Sequence, residues 1–254
     1  SDAATLASDA TGGADVYTVS TGDGADAVTN TSSAATSTIN TGGGDDTYTP
    51  TATAANATVD MGAGTGDKLV INGNHSADGV ITNYEILEIG GDSTMSEGQI
   101  DNDATFEIQG GNHTITIGSA STIDVSAVSF EAGNTTQFAI NSGGTGSTIT
   151  GSDAGDVITG GNGVDTLNGG NGGDTINGGA GIDSITGGDG ADTFILAEVI
   201  ANRDTINDYA EDVDFLQFEA AATTVATAAG QLPVLNTNTV TAGVGGGAYA
   251  ATGA

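Results

Sequence analysis

Cut every nine residues, positions 151–195 read GSDAGDVIT, GGNGVDTLN, GGNGGDTIN, GGAGIDSIT and GGDGADTFI. Aspartate recurs at Asp156, Asp165, Asp174, Asp183 and Asp192. Two residues after each stands a large apolar side chain: Ile158, Leu167, Ile176, Ile185 and Phe194. Glycine pairs open four of the units, at Gly160, Gly169, Gly178 and Gly187. Consecutive units in one phase mark a repeat architecture. Each unit divides into a turn and a short strand. Glycine permits positive φ and close backbone approach in the turn. The strand turns one apolar residue inward and its Thr, Ser or Asn neighbours outward. One such strand is not stable alone, but a stack of them buries a continuous narrow core.

The Gly-Gly-x-Gly-x-Asp-x-apolar unit resembles the nonapeptide of the RTX (repeats-in-toxin) family. The resemblance implies an all-β fold, a right-handed parallel β-roll or β-helix solenoid, in which two nonapeptides make one coil with turns on alternate sides. It also implies Ca2+ between turns stacked on the same side. The ligands would be the aspartate carboxylates and turn carbonyls such as those of Gly160, Gly169, Gly178 and Gly187, all hard oxygens suited to calcium. Asp156, Asp174 and Asp192 then line one turn edge, and Asp165 and Asp183 the other. The pairs 156/174, 174/192 and 165/183 give about three sites. Asp153 and Asp189 lie in the same turns.

Toward the N-terminus a looser array aligns VSTGDGAD (19–26), INTGGGDD (39–46) and VDMGAGTGD (59–67). Gly22, Gly42 and Gly62 keep a constant spacing, as do Gly24, Gly44 and Gly64. The acids are Asp26, Asp46 and Asp67, the last displaced by one inserted residue. Asp15, in TGGADVYT, marks an earlier partial turn. This array reads as a degenerate β-helix with a single calcium-type edge. The opposite edge, NTSSAATST and TPTATAANAT, is Thr/Ala-rich and lacks the motif.

Between the arrays, period-two alternation predicts strands in KLVI (68–71), ITNYEILEI (81–89), TFEI (105–108), HTITI (113–117), TIDVSAVSF (122–130) and QFAI (137–140). The run from GTGDKLVI to NYEILEI, followed by TIDVSAV, resembles segments of RTX-containing bacterial surface-layer proteins. RDTINDYAEDVDFLQF (203–218) resembles the segment that closes an RTX roll. Asp204, Asp208, Asp212 and Asp214 read equally well there as end-site ligands or as solvated acids. The resulting sections are a degenerate β-helix over 1–72, strand-rich solenoid over 73–150, regular roll with closing segment over 151–218, and an Ala/Thr/Gly-rich tail over 219–254, where AAATTVATAAGQ allows a short helix.

Composition narrows the function. The 254 residues include 33 acids against two Lys or Arg, for a net charge of −31. Phosphate neutralisation needs the opposite sign, so no nucleic-acid partner is expected. No apolar run reaches the roughly 20 residues of a membrane helix, and no membrane insertion is expected. With no Cys, disulfides and thiolate metal sites are excluded. The opening SDAATLASDATGG has neither the basic nor the apolar region of a secretory signal peptide. The family resemblance implies type I secretion instead.

His75 and His113 sit in Gly/Asn contexts without a converging catalytic set, and read as structural or surface residues. No enzyme is expected. The leading expectation is a calcium-dependent extracellular structural protein that associates with itself into a bacterial surface layer or filament. The alternatives are a calcium-folded C-terminal module of a type I-secreted toxin or hydrolase, and a section of a surface adhesin.

Overall fold

The computed structural model describes residues 2–6, 16–31, 36–51, 57–75, 79–96, 99–100, 106–118, 122–142, 146–196, 204–218 and 234–235. Among them the regular structure is almost wholly strand, and every named strand pairing is parallel. The fold is a β-solenoid of stacked coils, as the repeats imply. The chain forms two compact units, residues 1–120 with 127–139, and residues 121–126 with 140–254.

In the first unit one sheet stacks Ala3–Leu6, Ala27–Asn30, Thr47–Pro50, Lys68–Ile71, Ile86–Ile89, Glu107–Gly110 and Ser129–Phe130. A second stacks Val16–Ser20, Thr36–Asn40, Ala57–Asp60 and Ile81–Thr82. Ser93–Ser96 pairs with Thr114–Gly118. Alternation places Val28, Tyr48, Leu69, Leu87 and Ile108 inside from the first sheet, and Ile39, Val59 and Ile81 from the second, all buried. Each fully buried side chain of this size contributes roughly 1.5–3 kcal/mol. The intervening residues, such as Thr29, Thr49 and Thr38, stay partly or fully exposed.

The second unit repeats the pattern with shorter coils. Thr122–Asp124, Thr148–Thr150, Thr166–Asn171, Ser184–Asp189, Thr205–Ile206 and Val234–Leu235 form one sheet. Val157–Thr159, Thr175–Asn177, Thr193–Leu196 and Phe215–Phe218 stack in the other. Ile149, Leu167, Ile185 and Ile206 fill the core from one side, and Ile158, Ile176 and Phe194 from the other. The closing segment keeps this register: Thr193 pairs with Phe215, and Ser184 with Thr205.

The structure refines several strand expectations. ITNYEILEI is two strands, because Asn83 takes φ 61° and turns the chain, a conformation asparagine tolerates. Its side-chain amide donates to Asp60 Oδ1 at 2.7 Å. Beyond the corner, Tyr84 is buried, donates to the Gln99 carbonyl at 2.9 Å and packs on Phe106 with centroids 5.3 Å apart. TIDVSAVSF is likewise two strands parted by a turn at 126–127. Val234–Leu235 adds a strand pair from within the tail. The possible helix at AAATTVATAAGQ lies outside the described residues, as do Asp15 and residues 32–35 and 52–56 of the Thr/Ala-rich edge.

Candidate metal centre

The turn aspartates owe their positions to strand register. Each stands one residue before a strand and two before an inward apolar residue, so parallel stacking places successive acids above one another. Their main chains are locked first. The Thr175 amide donates to the Asp156 carbonyl at 2.8 Å, Thr193 to Asp174 at 2.7 Å and Ser184 to Asp165 at 2.9 Å.

The side chains then form ladders. On one turn edge the Asp156 amide donates to Asp174 Oδ1 at 2.7 Å, Asp174 to Asp192 Oδ1 at 2.9 Å, and Asp192 to Asp214 Oδ1 at 3.0 Å. On the other, Ser147 donates to Asp165 Oδ1 at 2.6 Å, Asp165 to Asp183 Oδ1 at 2.8 Å, and Asp183 to Asp204 Oδ1 at 3.0 Å. The structure thus brings 156/174/192 together on one edge and 165/183 on the other. It extends the two edges to Asp214 and Asp204.

One oxygen of each carboxylate is thereby satisfied. The other is not: Oδ2 of Asp165, Asp174, Asp183 and Asp192 is buried without a hydrogen-bond partner. These residues are at most 1% exposed. Asp156 differs, since its Oδ2 accepts from the Ser152 amide at 2.7 Å and hydroxyl at 3.0 Å. An unpaired ionised oxygen in such a place is costly. Burial, reinforced by the charges of Asp156 and Asp192, pushes the Asp174 carboxyl up to about 7. Burial likewise raises Asp183 to about 6 and raises Asp165, Asp192 and Asp204.

The glycines supply a second set of oxygens at the same places. A methyl group on Gly160 would lie 2.7 Å from Asp165 Oδ2 and 2.5 Å from the Gly178 carbonyl oxygen. One on Gly169 would collide with both Asp174 Oδ2 and the Gly187 carbonyl oxygen. A methyl group on Gly178 or Gly187 would collide with Asp183 Oδ2 or Asp192 Oδ2. Only a residue without Cβ lets carboxylate and carbonyl approach so closely. Among the described residues no three or more His, Cys, Asp or Glu side chains converge as a metal group. Main-chain carbonyls and water would therefore complete any shell. An all-oxygen set with unsatisfied anionic oxygens fits a hard cation such as Ca2+.

The first unit carries a third ladder. The Asp2 amide donates to Asp26 Oδ1 at 2.5 Å, Asp26 to Asp46 Oδ1 at 2.8 Å, Asp46 to Asp67 Oδ1 at 2.7 Å, and Asp67 to Glu85 Oε2 at 2.9 Å. Glu85 is absent from the sequence-derived set. Its signal was nevertheless present: Glu85, Asp204 and Asp214 each precede a strand apolar residue by two, at Leu87, Ile206 and Leu216.

The remaining acids differ. Asp208 caps the Gly187 and Gly188 amides at 2.9 and 2.8 Å. Asp153 accepts from Asn171 at 2.6 Å on the surface, Asp189 is exposed, and Asp212 occupies a turn with φ 70°. His75 is buried, and its Nε2 accepts from the Asn72 amide at 3.3 Å. His113 Nδ1 lies 3.7 Å from Asp92. Neither histidine approaches a ladder.

Compared with known proteins, residues 142–176 and 168–198 match the family model of the RTX calcium-binding nonapeptide repeat (4 copies). No curated protein and no solved structure matches the chain.

Proposed function

We propose, from the premise that this chain belongs to the RTX calcium-binding repeat family, that it is a non-enzymatic extracellular structural protein whose subunits assemble once calcium has set the solenoid. The repeats bind calcium, and such repeats are typical of secreted proteins. No described helix is long and apolar enough to cross a membrane.

The observation that carries the reading is the row of buried, unsatisfied Oδ2 atoms at Asp165, Asp174, Asp183 and Asp192. Without a cation these carboxylates oppose the fold. With calcium between stacked turns, binding energy becomes folding energy. A chain of net charge −31 then stays loose in low calcium, where self-repulsion opposes compaction. It hardens at the millimolar calcium that extracellular modules use. The calcium-set coils are the part of the molecule that would tile, and strand edges at the ends of a parallel stack are templates for further strands.

Electron microscopy and sedimentation in millimolar calcium, against the same protein in EGTA, test the proposal. Ordered sheets or filaments that dissolve on chelation are expected. Soluble monomers at high protein and high calcium would overturn it.

A further inference from the structure

The match to the calcium-binding repeat ends within residues 142–198, yet the first unit presents the same unsatisfied oxygens. Asp26, Asp46 and Asp67 are 4%, 1% and 0% exposed. In each, Oδ1 accepts an amide of the preceding coil, while Oδ2 is buried with no hydrogen-bond partner. The turns in front of them stack through main-chain bridges from Asp23 to Gly43 and from Gly43 to Ala63. That stacking brings the Gly44 carbonyl oxygen to the Asp67 carboxylate. A methyl group on Gly44 would lie 2.7 Å from the Gly24 carbonyl oxygen. One on Gly64 would lie 2.6 Å from both carboxylate oxygens of Asp67 and would strike the Gly44 carbonyl oxygen.

We infer that the Asp26–Asp46–Asp67 edge of the first unit is a second calcium column, built on longer coils than the nonapeptide and confined to one turn edge. Two features make a cation the suitable occupant. The donors on offer are oxygens, carboxylates together with the Gly44 main-chain carbonyl beside Asp67, the kind of set a hard divalent ion takes. The Oδ2 atoms of Asp46 and Asp67 are removed from water with no hydrogen-bond partner, which is costly unless a positive charge sits there. A water alone would offer hydrogen bonds but no charge. The gaps between Asp26 and Asp46 and between Asp46 and Asp67 hold about two ions. The coil length does not prevent this, because Asp46 and Asp67 are brought into line by the pairing of Thr47 with Lys68 one residue later. Glu85, whose Oε2 continues the ladder, closes the column.

This inference shares its ion with the function proposed above, so the test separates the two columns. The full chain is compared with D26N/D46N/D67N and with D165N/D174N/D183N/D192N. Asparagine keeps the carbonyl that accepts the ladder amide and replaces the anionic Oδ2 with a donor. Bound calcium is counted by equilibrium dialysis, and amide exchange is followed by mass spectrometry with calcium and with EGTA.

The expected result is that the first variant binds about two fewer ions while calcium still protects 146–196. In the second variant calcium should still slow exchange across 36–51 and 57–71 by at least about tenfold, a shift of about 1.4 kcal/mol in opening. An unchanged ion count in the first variant overturns the inference. So does exchange in 36–51 and 57–71 of the second variant that ignores calcium. If the first variant does not fold, the second decides alone by the same criterion. A second variant that loses no calcium counts instead against the nonapeptide column and the function built on it.

Discussion

The two units hold their acids in the same way and space them differently. In the second unit the rungs from Asp156 to Asp192 and from Asp165 to Asp183 are 18 residues apart on two turn edges, and the closing rungs lengthen to 21 and 22. In the first the successive rungs on one edge are 24, 20, 21 and 18 residues apart. Asp67 follows a turn with an extra residue, GAGTGD (62–67) in place of GGGDD (42–46), yet its Oδ1 lies 2.7 Å from the Asp46 amide. The loop length varies and the ladder does not. What fixes the acid is its place one residue before a strand held in register, with Tyr48 over Leu69 in one unit and Ile176 over Phe194 in the other. The regular nonapeptide is therefore one way of building the column rather than the condition for it.

The largest test of that equivalence is removal of calcium. At calcium roughly 1,000-fold above Kd, each site adds about 4 kcal/mol to the folded state. Chelation should therefore abolish most exchange protection in 146–196. Equal loss in 36–71 would make the units alike, and retained protection there would separate them; hydrogen-exchange mass spectrometry reads both at once.

Truncation comes next. Asp174→Ala removes an amide acceptor and a proposed ligand together, and should cost about 3–5 kcal/mol in calcium, as the loss of one partner of a buried charged pair does. Asp46→Ala should cost about as much, provided the columns are equivalent. Calcium-dependent denaturant melts measure the two side by side.

Acid sharpens the comparison further. Asp174, at about 7, and Asp67 and Asp183, at about 6, hold protons more tightly in the ion-free fold than in the unfolded chain. Their contribution is fully present below the ordinary carboxylate pKa of about 4 and is lost as pH rises through 6 to 7. Thermal melts in EGTA should therefore show greater stability at pH 5 than at pH 8. In calcium the order reverses, because the ion must displace those protons. Asp26 is lowered instead, by the Asp2 amide, so the first rung of the first unit should gain nothing from acid. Identical melting temperatures at both pH values in EGTA would count against this assignment.

The smallest effect concerns neighbours in the closing turn. Asp212→Asn preserves a residue tolerant of φ 70° and should change stability by no more than about 0.5 kcal/mol. Asp214→Asn should lower calcium binding, since the Asp214 carboxylate carries the ladder beyond Asp192. Calcium titration of the pair distinguishes rung from bystander.

Much of this was legible from spacing alone. The phase of Asp156 to Asp192 with Ile158 to Phe194 implied stacked coils and an inward column, and the family resemblance implied the two acid edges. The match of KLVI to Lys68–Ile71 needed only alternation. What escaped depended on contacts outside the period. Glu85 follows Asp67 by 18 residues in a region of longer coils. It sits in a segment that alternates like one strand until Asn83 breaks it. Asp204 and Asp214 were ambiguous because insertions shift them 21 and 22 residues from their partners. Only the paired strands Thr205–Ile206 and Phe215–Phe218 restore the phase. The satisfied Oδ2 of Asp156 depends on Ser152, which no repeat unit predicts.

Each amide in these rows reaches toward the later coil, never the earlier one, and the row beginning at Asp156 stops where the Asp214 amide turns back to the Ala210 carbonyl at 2.9 Å. The stack consequently has an arrow. The two ends of that row are therefore unlike, a carboxylate at Asp156 that no earlier rung amide is shown to reach and an amide at Asp214 already spent on its own turn. Copies joined end to end in a common sense would face unlike surfaces across every seam, whereas reversing one copy would confront like with like. Polarity of any such polymer is thus written into the direction of a single hydrogen bond.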